Sequence, residues 1–245
     1  MNGIQHLTLN PDALSTKLLY QPLINVLFWL YAYLPGHDLG VAIIAFTLLI
    51  RLMLFPSYLK TMLNAQRLKD LEPRIKKLRE DFKDDQKRQA EEIMKLYREH
   101  KVNPVGGCLP LLIQLPFLFA LYRIFAFGLN GESLKVLYSW VPRPEVINHS
   151  FLGILDLSQR SWQIALLAAI FQLIQGYLSL KSSAAPQMKG FMNLQMLLIF
   201  PAITFFIAWS LPSAVGLFWA ASTLVAAIQQ WYVVLILRRQ RQVSA

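Results

Sequence analysis

Residues 190–237 read GFMNLQMLLIFPAITFFIAWSLPSAVGLFWAASTLVAAIQQWYVVLIL, and this stretch decides the fold class of the chain. None of its 48 residues is Asp, Glu, Lys or Arg. One helix needs only about 20 apolar residues to cross a hydrocarbon core about 30 Å thick. The stretch therefore has room for two membrane-spanning helices, and a water-soluble single domain is close to excluded.

The composition of the whole chain points the same way. Of its 245 residues, 55% are hydrophobic and 16% are charged, whereas soluble domains have about 45–50% and about 25%. The 24 Lys and Arg exceed the 14 Asp and Glu and give a net charge of +10. Such an excess is typical of proteins that bind nucleic acid or an anionic membrane surface. The apolar content favours a membrane surface as the partner, and we predict no binding to a specific nucleic acid.

Residues that hold metals or carry out catalysis are scarce. The single cysteine, Cys108, permits neither an intrachain disulfide nor a cysteine-based zinc site, and the four histidines are scattered along the chain. No nucleotide-binding loop, zinc-protease motif or nucleophile elbow is present. We therefore predict no cofactor, no metal and no catalytic residue, and expect that the protein is not an enzyme.

Charge-poor runs predict five membrane-spanning helices. The long apolar stretch divides at Ser210–Ser213, because proline interrupts a helix and serines favour a turn. The five predicted spans are 39–58, 103–128, 161–180, 191–209 and 213–237. The predicted fold class is thus an all-α membrane protein.

The segment 1–38 precedes the first span and includes an apolar run at 18–34, LLYQPLINVLFWLYAYL. The run is short, contains three residues that interrupt its apolar character and ends in aromatic residues. Because Trp and Tyr prefer the headgroup level of a bilayer, we predict an amphipathic helix that lies in the interface. A sixth full span is the alternative.

The polar segment 59–102 is predicted to form a helical hairpin. Its first half has apolar residues at the heptad spacing 3, 4, 3, 4, namely Leu68, Leu71, Ile75, Leu78 and Phe82. After a polar stretch the apolar series resumes with Ala90, Ile93, Met94 and Tyr97. Pro73 should kink or start the first helix. The alternative is a solvated amphipathic pair with no binding partner.

The distribution of basic residues predicts the orientation of the chain. Segment 59–102 holds thirteen of the 24 Lys and Arg, and the short connection 181–190 and the tail 238–245 are also basic. With five spans these three segments share one side, which the positive-inside rule assigns to the cytoplasm. The N-terminal segment and the connection 129–160 then lie on the outer side, and the C-terminus is cytoplasmic.

Arg51 is the most unusual residue, because it lies inside the first predicted span. An arginine at the centre of a span costs about 2.5–3.5 kcal/mol on insertion scales. Its side chain either extends to the interface or faces a water-filled cavity, with Thr47 one turn away on the same face. No Asp or Glu lies in any predicted span, which argues against a proton-coupled pump.

Uncharged polar residues recur in the other spans. They serve either as hydrogen-bonding links between helices or, together with Arg51, as the lining of a hydrophilic cavity. These residues are Gln114, Gln172, Gln175, Gln195, Ser222, Thr223, Gln229 and Gln230.

Several motifs resemble a known family. The run NPVGGCLPLLIQLPFLFALY (103–122) is very similar to the signature of the YidC/Oxa family of membrane protein insertases. The resemblance extends over nearly the whole chain, through TLLIRLMLFP (47–56), LEPRIKKLRE (71–80), EEIMKLYREHKVNP (91–104), GILDLSQ (153–159), FPAITFFIAW (200–209) and PSAVGLFWAASTLVAAIQQ (212–230). The chain resembles the minimal bacterial form, which has no large domain on the outer side.

The resemblance implies an insertase core of five transmembrane helices around a hydrophilic groove. The groove residues would be Arg51, Thr47, Gln175 and Trp219, with Gln114, Gln172 and Ser222 as further candidate lining. Leu115 and Leu118 would contact the apolar helix of a substrate. The implied function is insertion and chaperoning of nascent membrane proteins in the bacterial cell membrane.

The implied partners are nascent membrane proteins, the Sec translocon and the ribosome. The ribosome would be approached through the cytoplasmic hairpin and the basic tail, although the tail of eight residues is a short tether.

Two other functions remain open on the residues alone. One is a small-solute or ion transporter, although such proteins usually show internal repeats and none is found here. The other is a structural scaffold for membrane complexes.

Overall fold

The computed structural model describes residues 16–103, 122, 133–144, 146–182 and 189–243. Nine helices account for most of this part of the chain. They are α1 (Gln21–Tyr33), α2 (Leu39–Met53), α3 (Phe55–Asp70), α4 (Glu72–Asp81), α5 (Gln86–Glu99), α6 (Trp162–Ser182), α7 (Lys189–Leu194), α8 (Phe200–Ser210) and α9 (Ser213–Val243). The only strands among the described residues are β1 (Ser150–Phe151) and β2 (Leu155–Asp156), which form one antiparallel hairpin. The predicted class of an all-α membrane protein is confirmed.

Two of the described helices are long and apolar enough to cross a membrane. The spanning parts are Trp162–Lys181 of α6 and Ser213–Leu237 of α9. Helices α2 and α3 together pass the same test as one span bent by 57°. The apolar segment Gln195–Ser210, which begins with a turn of π-helix and continues as α8, is shorter. The predicted span 103–128 lies outside the described residues apart from Asn103 and Tyr122.

The bend between α2 and α3 has a local cause. Pro56 lies in the first turn of α3, where the missing N–H of proline breaks no helical hydrogen bond. In a continuous helix its ring would clash with the carbonyl four residues earlier. The helix therefore restarts at Phe55, and α3 continues beyond the predicted end of the first span into the polar segment.

The described residues divide into two compact units. The first takes its residues from Met1–Ile50, Ile113–Ala169 and Thr204–Ser222, and the second from Arg51–Leu112, Ile170–Ile203 and Thr223–Ala245. The core of the first unit is apolar. Its fully buried large side chains include Ile24, Phe28, Tyr31, Ile43, Phe46, Leu157 and Val215.

Helix α1 anchors a long connection through buried polar contacts. Asn25 is almost completely buried, and its Nδ2 donates to the carbonyl oxygens of Gln21 (2.7 Å) and Val136 (3.3 Å). Its Oδ1 accepts from the backbone N–H of Tyr138 (2.6 Å). The hydroxyl of Tyr31 accepts from the N–H of Asn148 (2.8 Å). One face of α1 therefore holds the connection in place, while Trp29 and Tyr33 remain exposed.

The β-hairpin packs against the start of α2. Gly40 permits this approach, since a Cβ atom at that position would overlap the ring of Phe151. The carboxylate of Asp38 accepts from the N–H of Val41 (3.0 Å) and from the N–H of Leu152. It therefore caps α2 and fixes the β-turn with the same side chain.

The helical hairpin of the second unit consists of α4 and α5. Pro73 lies in the first turn of α4, and Asp85 caps α5 by accepting from the N–H of Arg88 (3.0 Å). Nε2 of Gln89 donates to the carbonyl oxygens of Arg79 (3.0 Å) and Phe82 (3.3 Å). These contacts close the turn between the two helices.

The contact face of α5 differs from the predicted apolar series. Leu96 is buried, whereas Ala90 and Met94 are exposed. The face towards α4 carries Gln89, half-buried Ile93, Leu96 and His100, whose Nε2 lies 3.2 Å from Nη1 of Arg74. Ala90 and Met94 are therefore exposed members of the predicted apolar series. The face of α5 towards α4 begins and ends with polar residues, which the count of apolar residues does not include.

Candidate functional site

Polar side chains of the second unit meet in the membrane-spanning helices. Gln230 of α9 accepts through Oε1 from Nε2 of Gln175 (3.0 Å) and from Oγ of Ser179 (3.3 Å), both on α6. Its neighbour Gln229 donates from Nε2 to the carbonyl oxygen of Arg51 (3.1 Å) on α2. Two adjacent glutamines thus link α9 to both α6 and α2. We call Arg51, Gln175, Ser179, Gln229 and Gln230 the polar cluster.

Hydrogen-bonding capacity remains in and near this cluster. Oε1 of Gln175, Oε1 of Gln229 and the hydroxyl of Tyr58 are buried and have no hydrogen-bond partner among the described residues. Buried polar atoms without a partner are costly in an apolar environment. The cluster can therefore accept or donate further hydrogen bonds, to water or to a polar segment of another chain.

Arg51 gives the cluster its charge. It occupies the last turn of α2 and is half-buried, directly before the restart of the helix at Phe55. Around it the helix is apolar, and Leu48, Leu49, Leu52 and Met53 are exposed. A guanidinium remains charged under all physiological conditions. A permanently charged residue therefore lies at the position of α2 that Gln229 contacts through the main chain.

The remaining predicted groove residues have different environments. In the first unit, Thr47 and Ser222 are buried and Trp219 is half-buried. The Thr47 hydroxyl donates to the carbonyl oxygen of Ile43 (2.7 Å), one turn earlier in its own helix. Gln172 is half-buried on α6 of the second unit. Gln114, Leu115 and Leu118 lie outside the described residues.

The structure therefore connects the side chain of Gln175 and the main chain at Arg51, two positions of the predicted groove, to adjacent glutamines of α9. Gln229 and Gln230 make these links, and Ser179 joins them. The sequence contains a signal for this role, since two adjacent amides are unusual in a charge-free span. No group of three or more His, Cys, Asp or Glu suited to a metal occurs in the described residues.

Comparisons with known proteins identify a family. The model of the 60Kd inner membrane protein family matches residues 29–240. The membrane protein insertase YidC of Syntrophobacter fumaroxidans is 32% identical over 219 residues, which cover 87% of this chain and 37% of that protein. The protein of the same name from Fusobacterium nucleatum is 32% identical over 196 residues, covering 80% of this chain and 86% of the relative.

A third insertase YidC, from Wolinella succinogenes, is 31% identical over 228 residues, or 92% of this chain and 38% of that protein. The chain thus spans less than two fifths of the Syntrophobacter and Wolinella relatives, and most of the Fusobacterium relative.

Proposed function

Because the chain belongs to the YidC/Oxa family of membrane protein insertases, we propose that it inserts nascent membrane proteins into the bacterial inner membrane and assists their folding. The observation that supports a direct role most strongly is the polar cluster, where two buried glutamines of α9 hydrogen-bond within apolar helices to the side chain of Gln175 and to the main chain at Arg51. Such a cluster is costly in a purely structural helix bundle. It suits a protein that must receive polar segments at membrane depth.

The proposed mechanism uses the cluster as part of a hydrated groove. Arg51 attracts the short acidic segment of a substrate that must cross the membrane, and the free oxygen atoms of Gln175 and Gln229 hydrogen-bond to its polar groups. Thr47, Trp219, Gln172, Gln114 and Ser222 complete the lining in this proposal. The apolar helix of the substrate meanwhile contacts Leu115 and Leu118 and moves into the lipid.

The driving force needs no nucleotide and no catalytic step. Each buried methylene contributes about 0.8 kcal/mol, so the transfer of an apolar helix from water into lipid is itself strongly favourable. The membrane potential can add to this when the translocated segment is negative. We therefore propose that the protein acts as an insertase and chaperone and is not an enzyme.

We also propose five spans with the N-terminus outside and the C-terminus in the cytoplasm. This topology places the basic hairpin of α4 and α5 where nascent chains emerge. Its Lys and Arg residues are mostly exposed, and positive charge on the surface favours approach to ribosomal RNA. Cooperation with the Sec translocon is part of the same proposal.

Site-specific photocrosslinking in growing cells tests the proposed function. A photoreactive amino acid replaces Leu115 or Leu118, and the matched control carries it at Val146, an exposed residue of the connection on the proposed outer side. We expect Leu115 and Leu118 to crosslink to many different nascent membrane proteins and Val146 to few of them. Crosslinks to one resident subunit alone would indicate a scaffold, and the absence of nascent chains would contradict the insertase.

A further inference from the structure

The turn of the β-hairpin exposes two large apolar side chains. Leu152 is 63% exposed and Ile154 is 84% exposed. Their neighbour Phe151 packs against Gly40 at the start of α2 and is half-buried. The turn therefore directs one apolar residue to the protein and two away from it.

The backbone of the turn makes the leucine unusual. Leu152 has a φ of 55° and Gly153 a φ of 70°. Successive positive φ values in a tight hairpin favour Asn, Asp and Gly, because the Cβ atom of other residues crowds the backbone there. Leu152 adopts this unfavourable conformation and yet buries little of its side chain in the protein. A favourable contact of its side chain with a partner outside the protein would explain why leucine occupies this position.

Hydrogen bonds connect the hairpin to the start of α2 and, through the residues that follow it, to the start of α9. Asp38 binds the N–H of Leu152 and caps α2. The strand that follows the turn leads to Leu157 and Gln159, whose carbonyl oxygens accept from the N–H groups of Ala214 (3.1 Å) and Ser213 (2.8 Å) at the start of α9. Helix α6 begins at Trp162, three residues further on.

The first residues of α2, α6 and α9 indicate the depth of the hairpin relative to the membrane. Helices α6 and α9 are long enough to span it, and α2 is part of the bent span. Trp162 is exposed at the first position of α6, and exposed tryptophans favour the headgroup region. The turn is therefore held near the boundary between headgroups and hydrocarbon.

We propose that the segment Leu152–Ile154 is a lipid anchor whose two apolar side chains insert into the phospholipid leaflet next to the first unit. Two of the three N–H groups of this segment are satisfied within the protein, because the N–H of Leu152 donates to Asp38 and the N–H of Ile154 donates to the carbonyl oxygen of Phe151 (3.0 Å). Neither N–H group would enter the boundary without a partner. The anchor fixes the depth of the connection and is independent of the insertase function.

Depth measurements on spin labels test this proposal. The full chain with Cys108→Ser receives one cysteine, at Ile154 or Leu152, carries a nitroxide and is placed in nanodiscs of phosphatidylethanolamine and phosphatidylglycerol. Accessibility is measured to oxygen, which concentrates in lipid, and to a nickel chelate, which stays in water. Leu166→Cys, on the exposed face of α6, gives the lipid standard, and Glu91→Cys, on α5, gives the water standard.

We expect the labels at Ile154 and Leu152 to show an oxygen-to-chelate ratio close to that of Leu166 and several times that of Glu91. A ratio equal to that of Glu91 would overturn the proposal. Protection from both reagents would also overturn it, because it would place the turn against a second protein surface. Leu152→Asn fits the turn geometry and removes the apolar side chain, so it should lower the ratio at Ile154. An unchanged ratio would contradict the role of Leu152.

Discussion

Arg51 is the residue on which the proposed mechanism depends most. Replacement by alanine removes a charge from a span and should leave the fold at least as stable, because an intramembrane charge costs several kcal/mol. Insertion of a substrate with an acidic translocated segment should fall about tenfold, which corresponds to about 1.4 kcal/mol in the barrier. A substrate with a neutral segment should lose less. The measurement is the rate of insertion in cells depleted of their own insertase.

Two controls make the Arg51 result specific. Arg67→Ala removes the same charge from an exposed position of α3 and should leave insertion unchanged. Arg51→Lys should keep much of the activity, since a hydrated groove needs a positive charge more than a planar guanidinium. Equal loss for acidic and neutral substrates would contradict an electrostatic role for Arg51.

Gln230 links the polar cluster through two side-chain hydrogen bonds. We expect Gln230→Leu to lower the free energy of unfolding by about 0.6–1.7 kcal/mol, the range for hydrogen bonds between membrane helices. Ile228→Ala, at an exposed position of the same helix, is the control and should have a smaller effect. Thermal unfolding in detergent measures both. A larger loss for Ile228→Ala would contradict the structural role of Gln230.

Sequence and structure differ most at the level of single contacts. Arg51 and Gln175 stand out in the sequence because polar residues are rare in spans. Their contacts with Gln229 and Gln230 cannot be recognised in the sequence. Arg51 and Gln229 are 178 residues apart, and Gln175 and Gln230 are 55 residues apart. Contacts over such distances depend on helix packing, which no local pattern records.

The hairpin of α4 and α5 shows what a pattern can predict about an element. The apolar repeat predicts two helices and the proline predicts a boundary, and Pro73 lies in the first turn of α4. The repeat does not predict the contact face of α5, where Gln89 and His100 contact α4 through polar atoms. A search for regularly spaced apolar residues does not detect a polar residue at a helix contact.

Cysteine pairs test the packing of the hairpin. In a Cys108→Ser background, we expect cysteines at Leu78 and Ile93 to form a disulfide on mild oxidation, because both residues are half-buried on facing helices. Cysteines at Lys77 and Glu91, both exposed, are the matched control and should not. Gel mobility after oxidation measures the crosslink. If neither Leu78–Ile93 nor any neighbouring pair reacts, the hairpin packing is wrong.

Helix α1 depends on one buried amide for its attachment to the following connection. Asn25→Leu keeps the volume but leaves the N–H of Tyr138 without its partner. A buried donor without a partner costs about 1–3 kcal/mol, so the unfolding temperature should fall. Proteolysis between residues 133 and 148 should become faster. Tyr33→Phe, at an exposed position of the same helix, should change neither; an equal effect of both variants would contradict the proposed attachment.

At the scale of the whole molecule, the charge distribution and the apolar runs predict the class of the protein. Two long apolar helices and one bent pair follow predicted spans, and the family match covers residues 29–240. The bend after Met53 can be recognised in the sequence from Pro56, because proline interrupts a helix. The contacts that join the β-hairpin region to α2 and α9 are not predicted by a local pattern, since they consist of backbone hydrogen bonds, the carboxylate of Asp38 and the packing of Phe151 on Gly40.

Thiol labelling in intact cells tests the topology. With Cys108→Ser, a cysteine at Val146, which is highly exposed, should react with a membrane-impermeant reagent added from outside. A cysteine at Glu91 on the basic hairpin should react only after the membrane is permeabilised, as the positive-inside rule requires. The reverse pattern would overturn the proposed orientation.

Reconstitution tests the central claim most directly. The purified chain is placed in liposomes without any other protein, and a single-span substrate with a short acidic translocated segment is synthesised in their presence. Protection of that segment from added protease measures insertion. The proposed function predicts that protection is several times that in empty liposomes and falls when Arg51 is replaced by alanine. Protection equal to that in empty liposomes would contradict the proposal that this chain is itself the insertase.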